Sequence, residues 1–153
     1  MSKVPSTPAT RLLREKGVAY TEHLYRYEER GGSRDDEHAV VKTLVMEDER
    51  GEPLVVLMHG DREVSTKALA RQLGRRSIEI CKPEVANRHS GYQVGGTSPL
   101  GTRRAMPVYV ERTVLDLPRV YVNGGSRGFL VGVAPRELAA LLSATPVDVA
   151  IAR

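Results

Sequence analysis

Two glycine-rich segments and one lysine carry the residue types that could do chemistry. The first segment, residues 91–101, reads GYQVGGTSPLG, and the second, residues 124–128, reads GGSRG and follows the apolar run 120–122. Glycine adopts backbone conformations in which a side chain would clash, so segments of this kind form fixed loops that expose amide N–H groups. Such a loop can hold a carbonyl group or a ribose. The alternative is a tight turn between two strands.

Lys42 lies in an otherwise apolar stretch, residues 38–47, that predicts a strand. A charge in that position is costly unless its ammonium group reaches an open cleft or a partner. Together with the loop amides, the lysine suits a reaction at an ester carbonyl, because amide donors stabilise an oxyanion and a lysine can fix a phosphate or ribose. The alternative is a structural or surface lysine.

Several other kinds of site are not predicted. The four histidines are far apart in the sequence and the lone Cys81 cannot complete a thiolate site, so we expect no metal. Ser98 lacks the glycine two residues later that a nucleophile elbow needs. The glycines also miss the spacing of phosphate-binding and dinucleotide-binding loops. We therefore expect a site of backbone amides, small hydroxyl groups and one lysine, without a cofactor.

The net charge of +4 is compatible with a polyanionic partner. Six basic residues cluster near the first glycine segment: Arg75, Arg76, Lys82, Arg88, Arg103 and Arg104. If they line one rim, they contact several phosphates and make binding salt-dependent; otherwise they form an ordinary solvated face. No motif that combines aromatic and basic residues is visible, so stacking on bases is not indicated.

The 153 residues predict a single domain, with a core of aliphatic residues because the chain has one Phe and no Trp. One cysteine fits a reducing compartment. No signal peptide and no stretch long enough to span a membrane are visible, so we expect a cytoplasmic protein.

Helices are predicted by their end signals, and strands by apolar runs. The predicted helices begin at Pro8, after Ser65, at Pro83 and at Pro135, with Gly17 and Gly74 as the ends of the first two. The predicted strands are 18–25, 38–47, 54–59, 75–80, 102–110, 120–123 and 129–133, and 28–37 is predicted to be a surface loop. Because helices and hairpins are interspersed, the predicted class is α+β with a mixed, mainly antiparallel sheet.

The motifs in combination resemble those of the bacterial YbaK/EbsC aminoacyl-tRNA deacylases, relatives of the editing insertion domain of prolyl-tRNA synthetases. The matching segments, in family order, are TPA at 7–9, VKTL at 41–44, GYQVGGTSPLG at 91–101 and GGSRG at 124–128. The resemblance extends from residue 6 to about residue 142 and implies one domain over 1–153. It also implies a sheet curled into a partial barrel with flanking helices.

The activity implied by the resemblance is trans-editing, the removal of a mischarged small amino acid, foremost cysteine from Cys-tRNA(Pro). In such members the thiol of the substrate attacks its own ester carbonyl, so no protein nucleophile is needed. The implied partners are the acceptor end of aminoacyl-tRNA and prolyl-tRNA synthetase, without a metal or a membrane. Carried onto this sequence, Lys42 is the functional residue, and the substrate-binding residues are Tyr25, Gly95, Gly96, Thr97, Ser98, Pro99, Gly101, Gly124, Gly125, Arg127 and Gly128.

Two features depart from the family pattern. Leu130 stands where cysteine-specific members usually have an acidic residue, and the segment 31–36 is short and lacks a small helix that often covers the pocket mouth. Three alternatives therefore remain open. They are a deacylase of the Ala-tRNA(Pro) type, a non-catalytic module that binds tRNA or a synthetase, and a hydrolase of a small ester unrelated to tRNA.

Overall fold

The computed structural model describes residues 4–25 and 34–153. Five α-helices lie in these ranges: α1 (Pro8–Glu15), α2 (Arg34–Ala39), α3 (Thr66–Leu73), α4 (Pro83–Ser90) and α5 (Pro135–Leu142), with a 3₁₀ helix at Arg112–Asp116. The strands are β1 (Thr21–Leu24), β2 (Val41–Asp48), β3 (Pro53–His59), β4 (Arg62–Val64), β5 (Ile78–Ile80), β6 (Val108–Glu111), β7 (Val120–Ser126), β8 (Phe129–Val133), β9 (Thr145–Val147) and β10 (Ala150–Ala152).

The strands form three sheets. The largest has the order β5-β2-β3-β6-β9, in which β2 is antiparallel to β3 and β5, while β3, β6 and β9 run parallel. A second, antiparallel sheet has the order β1-β8-β7, and β4 pairs with β10 in a third. A bridge between Val40 and Tyr121 joins the first two sheets. The predicted α+β class with a mixed, mainly antiparallel sheet is confirmed.

The central strand β3 separates two apolar clusters and is buried along its whole length, as its apolar sequence predicts. On one side, Val55 and Leu57 pack in the cluster that contains residues of α1, β7, β8 and α5. On the other side, Val56 and Met58 pack with Leu69 of α3. The glycine segments therefore lie on the α1 side of the large sheet, and α3 covers the opposite face.

The predicted helix ends are confirmed where a cap is present. Thr7 caps α1 and accepts a hydrogen bond from the N–H of Thr10, and Ser65 caps α3, which ends at Gly74 in the left-handed conformation. The start of α5 at Pro135 is confirmed as well. These signals are local, so the sequence alone carries them.

Several predictions about elements are wrong. Residues 102–107 do not form the start of a strand, because the N–H groups of Arg103 and Arg104 donate to the carbonyls of Ser90 and His89 at the end of α4. The strands predicted from residues 18, 38 and 75 begin three residues later, at Thr21, Val41 and Ile78. Part of the predicted 28–37 loop is helical, because α2 begins at Arg34. This helix also corrects the expectation that 31–36 lacks a helix. Residues 26–33 lie outside the described residues.

Candidate functional site

A cavity of about 450 Å³ opens between β2, the β5–α4 junction, the first glycine segment and the residues Asn123 and Leu130, which flank the second segment. Four of the predicted site residues line it: Tyr25, Lys42, Gly95 and Thr97. Most of the remaining lining is apolar and comes from Val41, Val45, Ile80, Ala86, Val94 and Leu130. A cavity of this size and polarity suits a small, largely apolar group.

The other predicted residues lie beside or behind this cavity. Gly96, Gly125 and Arg127 line a neighbouring hollow of about 460 Å³. Ser98 and Pro99 are buried, and the Ser98 hydroxyl accepts a hydrogen bond from the N–H of Leu100. Of the remaining three, Gly101 packs on the Pro8 carbonyl, Gly128 on the Tyr25 carbonyl and Gly124 on the Phe129 ring. The structure thus brings the two segments together but spreads their residues over two hollows and the supporting layer.

Asn123 holds the two glycine segments together. Its Nδ2 donates to the Gly95 carbonyl at 3.1 Å, and its Oδ1 accepts from the N–H groups of Gly125 at 2.7 Å and Ser126 at 3.1 Å. Only this orientation of the side-chain amide satisfies all three partners, because carbonyls accept and N–H groups donate. Arg127 adds a second link, donating from Nε and Nη2 to the Val94 carbonyl.

Two glycines make this close approach possible. A Cβ on Gly96 would lie 3.0 Å from the backbone nitrogen of Arg127. Gly125 has φ +101°, and a Cβ there would lie 2.7 Å from Cε1 of Tyr92. At this point of β7, a register shift between Asn123 and Ser126 marks a β-bulge.

The loops are fixed from behind by buried hydroxyl groups. The Thr7 hydroxyl donates to the Gly124 carbonyl at 2.5 Å, which ties the cap of α1 to the second segment. The Tyr92 hydroxyl donates to the Leu100 carbonyl at 2.6 Å, and burial raises the pKa of Tyr92 to about 12. Since this phenol stays protonated at neutral pH, it acts as a hydrogen-bond donor within the first segment.

Lys42 borders the cavity, but its ammonium group already has a partner. The side chains of β2 alternate between faces: Val41 packs with the α1 side, whereas Leu44 packs with the α3 side. Lys42 shares the face of Leu44, and its Nζ lies 3.8 Å from Oε1 of Glu63 on β4. An anionic group that engages Lys42 therefore competes with the Glu63 carboxylate.

Two further side chains of the cavity carry a hydroxyl group or a thiol group. The buried Thr43 hydroxyl has no hydrogen-bond partner among the described residues, so it is available to a ligand. Cys81 also lines the cavity, and burial, with a smaller contribution from the Glu47 charge, raises the pKa of its thiol to about 11. A thiol with that pKa is protonated at neutral pH and is a poor nucleophile.

Sequence reasoning missed Asn123, Thr43 and Cys81 as residues of the site. The strand alternation that places Val41 and Val45 toward the cavity could have indicated Thr43, which lies between them. Asn123 follows an apolar strand and precedes a glycine pair, a common place for a side chain that binds backbone amides. Cys81 carries no comparable signal.

A second polar cluster lies outside this cavity and brings together two histidines that are far apart in the sequence. The rings of His38 and His59 stack with centroids 3.8 Å apart, and Asp61 lies 2.9 Å from His38 Nδ1. Both ring nitrogens of His59 are engaged, Nδ1 with the His38 carbonyl and Nε2 with the Thr113 hydroxyl. Parallel rings do not direct their nitrogens to one point, so the cluster does not fit a metal ion as it stands.

Thr113 connects that cluster to a buried carboxylate. Glu111 is 1% exposed and accepts hydrogen bonds from the hydroxyl and N–H of Thr113 and from the N–H groups of Val149 and Ala150. Burial alone would raise the pKa of Glu111, but these bonds outweigh it and hold the pKa below its ordinary value. Glu111 thereby fixes the segment that leads into β10.

Among the described parts of the chain, no helix is both long and apolar enough to cross a membrane.

Comparison with known proteins gives one family and several relatives. The sequence profile of a family described as an aminoacyl-tRNA editing domain matches residues 22–141. EbsC of Enterococcus faecalis, whose name assigns it provisionally as a Cys-tRNA(Pro)/Cys-tRNA(Cys) deacylase, is 26% identical over 143 residues, covering 88% of this chain and 87% of EbsC. A proline–tRNA ligase of Nitratidesulfovibrio vulgaris is 33% identical over 61% of this chain, which corresponds to 14% of the ligase.

Solved structures share the fold. The crystal structure of a hypothetical protein superposes with a TM-score of 0.85 at 23% identity, covering 95% of this chain and all of the other. Another, described provisionally as a trans-editing enzyme for prolyl tRNA synthetase, gives a TM-score of 0.80 at 24% identity, covering 96% of this chain and 99% of the other.

Proposed function

The chain belongs to the aminoacyl-tRNA editing domain family, and from this premise we propose that it is a trans-editing deacylase that removes a mischarged small amino acid from tRNA. Residues 1–153 would form one such domain. Cysteine on tRNA(Pro) is the first candidate substrate, because EbsC, which this chain resembles over most of both lengths, carries that substrate in its name.

The observation that carries the proposal is the cavity beside the joined glycine segments. Its volume of about 450 Å³ suits one aminoacyl group and part of the ribose, and its lining offers apolar walls with a few polar groups. We assign the loop that includes Gly95, Gly96 and Thr97 to the aminoacyl ester and the ribose. Lys42 would hold the terminal adenosine or its phosphate, in exchange for its contact with Glu63.

The chemistry we propose for cysteine uses the thiol of the substrate. That sulfur attacks the ester carbonyl carbon, the bond from carbon to the ribose oxygen breaks, and the thiol proton ends on the ribose hydroxyl. Positioning alone lowers the barrier of such an intramolecular attack by several kcal/mol. The protonated state of Cys81 is compatible with this route, because no ionised protein thiol is available at the cavity to compete.

Leu130 favours a second candidate, a deacylase that removes alanine. This side chain lines the cavity and adds an apolar wall where a carboxylate would create a polar one. An alanine methyl group needs no polar partner, and hydrolysis by water would then replace attack by a thiol. A binding site discriminates between similar small side chains by only a modest difference in binding free energy, so a dedicated editing site is useful.

The proposed partners follow from the same premise. The acceptor end of an aminoacyl-tRNA supplies the ester, and prolyl-tRNA synthetase is a candidate protein partner because the chain is similar to segments of several proline–tRNA ligases. Such a segment makes up about one seventh of the ligase, 14% of its length, so the activity of the whole ligase is not part of the proposal.

The test measures amino-acid release from Cys-tRNA(Pro) and Ala-tRNA(Pro) side by side. We expect Lys42→Ala to keep the fold and to lower release at least about tenfold, which corresponds to about 1.4 kcal/mol of transition-state stabilisation. The matched control is Lys16→Ala, an exposed lysine at the end of α1, which should release at the wild-type rate. Release of neither amino acid by the wild type would contradict the proposed function.

A further inference from the structure

A further hollow of about 440 Å³, which we call the basic groove, lies between α3 and β5. Its charged lining consists of four cationic side chains, Lys67, Arg71, Arg75 and Arg76, and one acidic side chain, Glu79. Lys67 and Arg71 are four residues apart on α3, so they project from the same face of that helix. The groove therefore concentrates positive charge along one wall.

Acidic groups lie beside these cations, since Glu79 lines the groove and Oε1 of Glu49 accepts a hydrogen bond from the Arg76 N–H at 3.1 Å, but most of the cationic side chains have no ion-pair partner in the described parts of the chain. Among the described residues, the side chains of Lys67, Arg71 and Arg76 form no ion pair. Arg75 lies 3.4 Å from Asp48, whose side chain is 1% exposed, and this buried partner holds the Arg75 guanidinium at the groove. Unpaired arginines in a concave surface are suited to bidentate contacts with phosphate oxygens.

The groove lies next to the candidate site along one edge strand. β5 is the terminal strand of the five-stranded sheet; Ile78 and Glu79 border the groove, and Ile80 and Cys81 border the cavity. Residues of a strand are about 3.3 Å apart, so one opening begins within a few residues of the other. The groove lies on the α3 face and the glycine segments lie on the opposite face, so a chain that enters the cavity by its end reaches the groove by crossing the sheet edge at β5.

We propose that the basic groove binds backbone phosphates of the tRNA acceptor end, upstream of the nucleotide whose ester lies at the cavity. This inference rests on the proposed function for the identity of the ligand. The lining of the groove contains no aromatic residue, so it offers no platform for stacking a base. Contacts to phosphates alone position the nucleic acid and raise its affinity without reading its sequence. The groove thus contributes to binding of any tRNA, and the cavity selects the amino acid.

The test compares two double variants with the same loss of charge. In the groove variant, Lys67→Gln/Arg71→Gln, Arg75 is left in place because of its pairing with Asp48. In the control variant, Arg14→Gln/Arg136→Gln, the arginines are exposed on α1 and α5, whose buried residues pack in the cluster on the opposite side of the sheet from α3. Circular dichroism during thermal unfolding verifies that both variants fold.

The first measurement is binding of uncharged tRNA(Pro) as a function of salt. Each lost phosphate contact lowers the slope of log affinity against log salt by about 0.7 to 0.9, so we expect the groove variant to lose about 1.5 from that slope. Between about 50 mM and 200 mM salt, wild-type affinity should therefore fall roughly tenfold more than that of the groove variant. An unchanged slope, or an equal change in the control variant, would overturn the inference.

The second measurement separates the groove from the cavity. With full-length aminoacyl-tRNA, the groove variant should show a raised KM and an unchanged kcat, whereas release from a short aminoacyl-adenosine substrate should match the wild type. An equal defect with both substrates would overturn the inference. If the wild type binds tRNA but releases no amino acid, the proposed deacylase activity fails, and the salt slopes still decide the role of the groove. If the groove variant loses binding to an acidic peptide but binds tRNA as the wild type does, the groove serves a protein partner and the inference is overturned.

Discussion

Asn123 offers a sharp test of the site, because two substitutions divide its contacts differently. Asn123→Ala removes all three hydrogen bonds, the donor to Gly95 and the acceptor for Gly125 and Ser126. Asn123→Asp keeps an acceptor for the two N–H groups but replaces the donor with a carboxylate oxygen about 3.1 Å from the Gly95 carbonyl oxygen. The Asp variant therefore preserves the turn of the second segment and breaks the Asn123–Gly95 link, while the bonds from Arg127 to the Val94 carbonyl remain.

The expected magnitudes follow from these contacts. A typical hydrogen bond contributes about 1 kcal/mol, so Asn123→Ala should lower the free energy of unfolding by about 2 to 3 kcal/mol. Asn123→Asp should change it by about 1 kcal/mol or less, because two bonds survive with a charged acceptor. In Asn123→Asp, the lost hydrogen bond to Gly95 and the repulsion between the two oxygens together amount to about 2 kcal/mol. If this energy is lost from the transition state, kcat/KM falls roughly thirtyfold.

Urea unfolding followed by circular dichroism measures the stabilities, and release of amino acid from aminoacyl-tRNA measures kcat/KM. We expect the Asp variant to be close to the wild type in stability and far below it in activity. An Asp variant with wild-type stability and wild-type kcat/KM would refute the claim that the link between the segments shapes the site. A variant that is inactive only because it is unfolded would be recognised in the unfolding curve.

Two further predictions concern stability. Gly125→Ala introduces a Cβ 2.7 Å from the Tyr92 ring at φ +101°, so it should lower the free energy of unfolding in urea by about 3 kcal/mol or more. The control Gly51→Ala, at φ +74° with no atom within 4 Å of its Cβ, should lower it by only about 1 kcal/mol. Equal losses would contradict the contact between Gly125 and Tyr92. Glu111→Gln should destabilise the protein by about 2 kcal/mol at pH 7, while Glu15→Gln at an exposed position should change stability by less than about 0.5 kcal/mol. Folding lowers the pKa of Glu111, so its contribution to stability is complete above its ordinary pKa of 4.5 and is lost as the pH falls through the lower, folded value. The free energies of unfolding of the wild type and of Glu111→Gln should therefore converge in acid. A difference that stays constant with pH would refute the assignment.

The elements that the sequence predicts well are those whose signals are local. The start of α1 is set by Thr7 and Pro8, and the two ends of α3 are set by Ser65 and Gly74. These caps involve only neighbouring residues. The uniformly apolar run of β3 predicts burial on both faces for the same reason. Fold class follows from such elements and their order, and the resemblance of the glycine segments added the family.

The failures have one physical cause, contacts between residues distant in sequence. Residues 103 and 104 look like part of a strand, but their N–H groups complete the end of α4. The short β10 forms because β4 pairs with it and Glu111 binds the N–H groups at its start. His38 and His59 are 21 residues apart, and their rings meet because the pairing of β2 with β3 places Val41 opposite His59. No spacing rule along the chain contains these partners.

The candidate site was predicted unevenly for the same reason. Glycine motifs identify the two segments, but not which of their residues face a ligand. Of the first segment, Val94, Gly95 and Thr97 line the cavity, and Val94 was not among the predicted site residues. The roles of Lys42 and the other predicted residues stay predictions until the variants above are measured.

The bond from the Thr7 hydroxyl to the Gly124 carbonyl bears on how the protein folds. Its two residues are 117 positions apart, so forming it closes a loop that includes most of the chain. Contacts of such long range form slowly, because the loss of loop entropy precedes any gain from packing. A partly folded chain, or a nascent chain that still lacks β7, therefore has no assembled wall for the second glycine segment. Recovery of activity during refolding should accordingly coincide with the last structural phase, and the site cannot act on tRNA before the fold is complete.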